Sequence, residues 1–368
     1  MTKYVIDIVG TCNLKCPSCG RREHYGYTPS YKGLMDFDLF CKVLDKIRDE
    51  SPGERHRIVL YNWGEPLMHN RIGDIVAAIN SRGFEAQIST NGNATKHLEA
   101  AIKAKPAVFA ISLSGFTEET YEKTHRLGDI DTVTSSIFLA WNAIQRYSPD
   151  TQFVIHYHLY KDNGGENLAT LKRIVEVLDC DYNVAVAQLI ALDDHLDALA
   201  GKSNLSKEKT DVLDKMIFSP AEWREMGKEF NGSCPQIDED RVVVYADGSV
   251  RLCCNVMGDK YTLFPSFLDV TKEQIFAARR ASDTCGVCMA AGFHNGWAVS
   301  DHSRTFRDGV NAAMKTNGGD RYVAVVSLGY RNHTAIKGLL FRHIQRALGR
   351  RISKLIRRNP ASASYGVG

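Results

Sequence analysis

Short apolar runs rich in β-branched residues alternate with helix-patterned stretches over the first 190 residues of the chain. The runs at 4–9, 57–61, 85–89, 108–113, 152–159 and 183–189 predict strands. Between them, 38–48, 72–81, 94–104, 131–146 and 168–178 carry apolar positions three and four apart, the spacing of one buried helix face. Strand–helix repetition of this kind predicts a parallel α/β sheet. Six units give a partial (β/α)6 TIM-like barrel rather than the full eightfold ring. From residue 193 to 230 the pattern turns polar and helical, as in connecting helices. The runs at 241–245 and 250–253 flank Ala246-Asp247-Gly248, and Asp-Gly favours the tight turn of a hairpin. The expected layout is a core over 1–195, connecting helices over 196–232, a small hairpin-and-helix domain over 233–300 and an extension over 301–368.

Composition adds limits. The chain has 368 residues, 44% hydrophobic and 24% charged, as in ordinary globular proteins. It contains no run of about 18 uncharged apolar residues, so no membrane span is expected. The first residues lack the apolar block and cleavage site of a signal peptide, so a cytoplasmic location is expected. Ten of the 46 Lys and Arg, and none of the 43 Asp and Glu, fall from Arg321 onward, so the body is acidic and the tail basic. Within 335–358, Leu340, Ile344, Leu348, Ile352 and Leu355 recur at helical spacing among Arg and Lys. Such a basic amphipathic helix suits an anionic membrane surface, a protein partner, or simple packing on its own chain. No nucleic-acid-binding module is recognisable, and no nucleic-acid partner is expected.

The ten cysteines carry the chemistry. Cys12, Cys16 and Cys19 follow the first strand as C-x3-C-x2-C, three soft ligands on one loop. Three local sulfurs fit an iron–sulfur cluster with one open iron, whereas zinc usually takes four ligands. The loop C-N-L-K-C-P-S-C resembles the signature of the radical S-adenosylmethionine (SAM) superfamily. Ser18 stands where that family usually carries an aromatic residue. The resemblance implies a [4Fe–4S] cluster on Cys12, Cys16 and Cys19, with SAM chelated at the open iron and split to a 5′-deoxyadenosyl radical. Further matches follow in order. Gly64-Glu65-Pro66 resembles the family's GEP motif after the second strand. Asn91, in Ser89-Thr90-Asn91-Gly92, and Ser112 and Ser114, in Ser112-Leu113-Ser114-Gly115, sit where the family binds the SAM carboxylate and ribose. The same residues are also ordinary turn formers.

Cys234, Gly248, Cys253 and the pair Cys285 and Cys288 form a second group. Ligand chemistry alone leaves zinc and iron–sulfur open. Their spacing resembles the SPASM/twitch auxiliary domain, in its shorter twitch form, which implies an auxiliary [4Fe–4S] cluster held by four cysteines. Cys254 adjoins Cys253 and, on a strand, points the other way. It is a candidate hydrogen-atom donor, with a packed thiol or an alternative ligand as the plain readings. Cys41 and Cys180 read as buried small hydrophobes.

What the resemblance implies is hydrogen-atom abstraction leading to oxidation or epimerisation. The first cysteine lies at residue 12, too early for a leader-binding domain ahead of it. A small polar substrate is therefore expected: a carbohydrate, an aminocyclitol or another natural-product intermediate. A peptide-modifying maturase and a non-catalytic zinc scaffold are the alternatives. His156, His158 and Tyr160, alternating on one strand, together with Asn62 and Trp63, are candidate cavity residues; a solvent-facing polar row is the alternative for the histidine strand. An electron donor such as flavodoxin or ferredoxin completes the expected partners.

Overall fold

The computed structural model describes residues 2–20, 32–201, 205–228, 234, 236, 241–296, 299 and 303–316. The chain divides into Met1–Ser327 and Leu328–Gly368. The second unit, and with it the basic helix expected at 335–358, lies outside the described residues.

Six strands, β1 (Lys3–Ile6), β2 (Arg57–Val59), β3 (Glu85–Thr90), β4 (Val108–Leu113), β5 (Gln152–Leu159) and β6 (Asp181–Val186), pair in parallel in chain order. Helices α1 (Phe37–Glu50), α2 (Ile72–Ser81), α3 (Leu98–Lys103), α4 (Glu118–Glu122), α5 (Ile130–Tyr147) and α6 (Gly165–Leu178) connect them. This is the expected partial barrel. The predicted strand at 183–189 begins and ends earlier, because Ala187–Leu189 leave the ladder after Val186.

Local chemistry explains the boundaries. Asp36 caps α1 by accepting from the Asp38 and Leu39 amides at 3.0 Å each. Phe40, Val43, Leu44 and Ile47 then recur on one face and are fully buried. Truncating Ile47 to alanine would cost ~2–5 kcal/mol. Strand residues alternate as the pleat demands. Tyr4, Ile6, Ile58, Phe109, Ile155 and Leu159 face the helices in one large core. Val5, Val59 and Val243 face the barrel interior in a second cluster.

After β6 the chain runs through α7 (Leu192–Leu199), α8 (Lys207–Lys215) and α9 (Pro220–Gly227) to β7 (Arg241–Val244), β8 (Val250–Arg251) and β9 (Thr262–Phe264). The expected hairpin forms, but as part of the main sheet. β7 pairs in parallel with β1, through Lys3↔Arg241 to Ile6↔Val244, giving the order β6-β5-β4-β3-β2-β1-β7-β8-β9. Its Val242 and Val244 join the large core, and that burial favours sheet extension over a separate layer. Then come α10 (Lys272–Arg280), opened by a Thr271–Gln274 capping box, α11 (Asp283–Ala290) and α12 (Arg304–Thr316). No helix among the described residues is long and apolar enough to cross a membrane.

Candidate active site

The loop after β1 is fixed by other segments of the chain. Gly10 donates to the Gly33 carbonyl (2.8 Å) and Lys15 to that of Arg126 (2.9 Å), while Ser18 O accepts from Ile190 (3.1 Å) and Thr11 O from Glu65 (2.9 Å). Backbone so tethered holds Cys12, Cys16 and Cys19 in place, each half-buried. The Leu14 amide donates to Cys12 Sγ (3.5 Å), as does Asn91 Nδ2 (3.6 Å), which also donates to Asn13 Oδ1 (2.9 Å). Cys19 packs against Trp63 and Ala191 in the interior cluster.

Gly64 and Glu65 tie this loop to the second and third strand ends. Asp7, a lone carboxylate in an apolar run, accepts from the Trp63 and Gly64 amides at 3.0 Å each. A Cβ on Gly64 would lie 1.8 Å from the Val9 carbonyl oxygen, so only glycine fits. Glu65 is 2% exposed. Its Oε1 accepts from Leu67 N (3.0 Å) and Thr90 Oγ1 (2.7 Å), and its Oε2 from Asn91 N (2.9 Å). Burial pushes its pKa up to about 7, against the pull of those three donors. The Glu65 carboxylate thus ties the end of the third strand to the segment after the second.

Ser112 is half-buried, 3.4 Å from Ser89 across the β3–β4 ladder. Ser114 is fully buried and bonds the Thr124 hydroxyl and His125 Nδ1, the latter at 2.6 Å. It stands one residue beyond the strand, and His125 links it to His158 through a ring contact. His156 and His158 alternate with the core residues Ile155, Tyr157 and Leu159, so they face the barrel interior, partly accessible yet deep. Burial lowers both pKa values to about 4, and that of His125, 5.9 Å from the His158 ring, to about 3. All three imidazoles are therefore neutral near pH 7. Tyr61 and Gln87, which sequence reasoning missed, complete this polar lining with a 3.0 Å hydrogen bond. Tyr160 reaches Ser18 of the cysteine loop at 3.4 Å.

The second cysteine group lies beside the hairpin. Cys253, Cys285 and Cys288 pack against Leu192, Leu252, Val256, Tyr261 and Phe293. Cys285 and Cys288, three apart on α11, share a helix face. Burial raises both thiols, that of Cys288 to about 12, and Cys234 lies within electrostatic reach of the two. Cys254 packs instead with Val5, Val59, Trp63 and Tyr61, in the cluster that holds Cys19. The two neighbours thus touch different clusters, but their thiols stay within hydrogen-bonding reach of each other rather than pointing to opposite faces, since the ladder ends at Arg251 and no strand pleat separates them. Cys254 Sγ lies 3.9 Å from Arg241 Nη1 and 3.5 Å from Gln236 Oε1. A hydrogen bond with Cys253 and the Arg241 charge lower its pKa to about 6. Asn62, with its amide oriented by its neighbours, donates to the Cys254 carbonyl (3.2 Å) and accepts from Trp63 Nε1 (3.0 Å).

Arg279, also missed in the sequence, is 1% exposed. Its Nε donates to Leu252 O (2.8 Å), and its Nη1 to Gln236 O (2.9 Å) and Arg241 O (2.7 Å). Burial lowers its pKa, opposed by the thiols of Cys253, Cys254, Cys285 and Cys234. No three His, Cys, Asp or Glu side chains among the described residues gather closely enough to hold a single metal ion. A cubane spreads its cysteines over separate corners and needs no such closeness. Half-buried, separately anchored thiols suit that donor set.

Residues 6–156 match the model of the radical SAM superfamily, and this segment is a radical SAM domain. Over 91 residues the chain is 40% identical to a tungsten-containing aldehyde ferredoxin oxidoreductase cofactor-modifying protein of Pyrococcus furiosus, covering 24% of each chain. Over 136 residues it is 31% identical to a probable GTP 3′,8-cyclase of Methanothermobacter thermautotrophicus, covering 36% of this chain and 41% of that one. The matches thus span well under half of these relatives. Among solved structures, native anSMEcpe with bound AdoMet aligns over 75% of this chain and 80% of that one, at 16% identity and a TM-score of 0.47.

Proposed function

Starting from a radical SAM domain at residues 6–156, we propose that this enzyme cleaves SAM reductively and takes a hydrogen atom from a small polar substrate, which is then oxidised or epimerised. Cys12, Cys16 and Cys19 would hold the first [4Fe–4S] cluster with SAM at its open iron. Cys234, Cys253, Cys285 and Cys288 would hold an auxiliary [4Fe–4S] cluster. When bound, the cluster and SAM supply a carbon-centred radical able to attack an unactivated C–H bond.

One observation carries the reading: Cys19 and Cys254 pack on the same interior cluster, while Cys253 turns to the neighbouring cluster with Cys285 and Cys288. A single turn therefore adjoins both cysteine groups. An oxidative outcome needs an electron acceptor, and the proposed auxiliary cluster would be that acceptor. An epimerising outcome needs a returned hydrogen atom, and the Cys254 thiol is the candidate donor. Neutral His156 and His158, with Ser112, Tyr61 and Gln87, both donate and accept hydrogen bonds, which suits a hydroxyl-rich substrate better than a charged one. Reducing equivalents would come from a flavodoxin or ferredoxin.

Anaerobically reconstituted protein should carry about eight iron atoms per chain, four in each cubane. With SAM and a strong reductant it should release 5′-deoxyadenosine, and Cys12→Ala should abolish that release. Colourless protein holding zinc at both sites would make the chain a scaffold instead. With substrate present, loss of epimerised product but not of 5′-deoxyadenosine in Cys254→Ala would assign the donor.

A further inference from the structure

Arg279 is buried at 1% exposure, and the charges that act on it among the described residues are thiols rather than carboxylates. A buried guanidinium is costly unless an anion compensates it. Its Nη2 is buried and has no hydrogen-bond partner, although Nε and Nη1 together serve three carbonyls. Those carbonyls are not a random set. Leu252 precedes Cys253, Gln236 follows Cys234 by two residues, and Arg241 opens β7. Arg279 is the last residue but one of α10, four residues before the start of α11, which brings in Cys285 and Cys288. One side chain thus joins every segment that supplies a second-group cysteine. Four of the five thiols there, those of Cys234, Cys253, Cys254 and Cys285, lie within its electrostatic reach.

We propose that Arg279 is the positioning residue of the auxiliary cluster: its three carbonyl bonds set the cysteine-bearing segments, and its remaining N–H group and charge face the cluster's sulfurs and raise its reduction potential. The inference rests on the auxiliary-cluster reading above. Among the described residues, free thiols would leave the guanidinium uncompensated, whereas a cubane held by four thiolates is net anionic. Hydrogen bonds and positive charge at cluster sulfurs stabilise the reduced form, which carries one more negative charge. A raised potential makes the cluster a better acceptor for the electron that an oxidised substrate radical gives up.

The test uses the full chain with Cys12, Cys16 and Cys19 all changed to Ala, so that only the second cluster is read. Arg279→Lys keeps the charge and Arg279→Gln removes it, while neither can span all three carbonyls. Iron content and an EPR-monitored redox titration are measured on each. The parent should hold about four iron atoms. Arg279→Gln should lower the reduced-to-oxidised ratio at fixed potential at least tenfold, about 59 mV for one electron. Arg279→Lys should shift it by less than half as much. Loss of iron from Arg279→Gln alone would also support the role. Equal potentials and equal, full iron content in all three proteins would overturn it. A parent that holds zinc or no iron would instead overturn the cluster reading itself, before Arg279 is touched.

Discussion

Replacing Gly64 by alanine should disrupt the junction on which the cysteine loop depends. The new Cβ would sit 1.8 Å from the Val9 carbonyl oxygen and 2.9 Å from Asp7 Oδ1, the first far inside ordinary contact. Both obstacles belong to the chain leading out of β1, so the 63–65 segment must move away. That movement breaks at least one of the two amide bonds to buried Asp7, at about 1.5–3 kcal/mol for a bond to a charged group. Residual overpacking adds ~1–3 kcal/mol. The expected loss is therefore about 2.5–6 kcal/mol, read as a lower denaturation midpoint in anaerobic urea titrations at unchanged slope. Gly53→Ala is the control. Gly53 has φ +79° and nothing within 4 Å of the place a Cβ would take, so it should lose only ~1–2 kcal/mol of left-handed strain. Because Glu65 N donates to Thr11 O beside Cys12, Gly64→Ala should also weaken SAM binding. A loss below about 1 kcal/mol, the floor of the overpacking cost, with unchanged SAM affinity would refute the argument.

Further outcomes follow from the same geometry. His125 is neutral in the fold, with a pKa of about 3 against 6.5 unfolded, so its contribution is fully present above pH 6.5 and is lost as pH falls toward 3. At pH 5 the loss amounts to about 2 kcal/mol, and His125→Gln should reduce the pH dependence of stability between pH 4 and 6 by about one proton. Asn91→Ala removes the amide beside Cys12 Sγ and should shift the EPR signal of the SAM-bound first cluster; an identical spectrum would argue against that contact. Tyr61→Phe strips the hydroxyl that accepts from Gln87. It should raise KM for substrate severalfold, with unaltered uncoupled SAM cleavage as the internal check.

The core was largely legible in the sequence. Runs such as Val108–Leu113 and Gln152–Leu159 are apolar on both faces or strictly alternating, and they became strands at the expected bounds. Ile72–Ser81 behaved likewise as a helix. The placement of β7 was not legible, because a four-residue run says nothing of which edge it joins, and the free edge of β1 is 238 residues away. The turn at Cys253 and Cys254 was read as strand because Leu252 and its neighbours are apolar, yet the pleat stops at Arg251. Arg279 was hidden for a different reason. Beside Arg280 at a helix end, it has the signature of a solvated last-turn cation, and only the three carbonyls reveal its burial.

The β1–β7 pairing also has a consequence for synthesis. At about 5–20 residues per second, a ribosome that has made Lys3 needs roughly 12–48 s to deliver Arg241, its register partner. Throughout that interval one side of β1 has no hydrogen-bonding neighbour, and the nascent cysteine loop stands open to metal and oxygen. The proposed first site, whose three cysteines all precede β2, could therefore take up metal during translation, whereas the proposed second must wait for Cys288, well after Arg241.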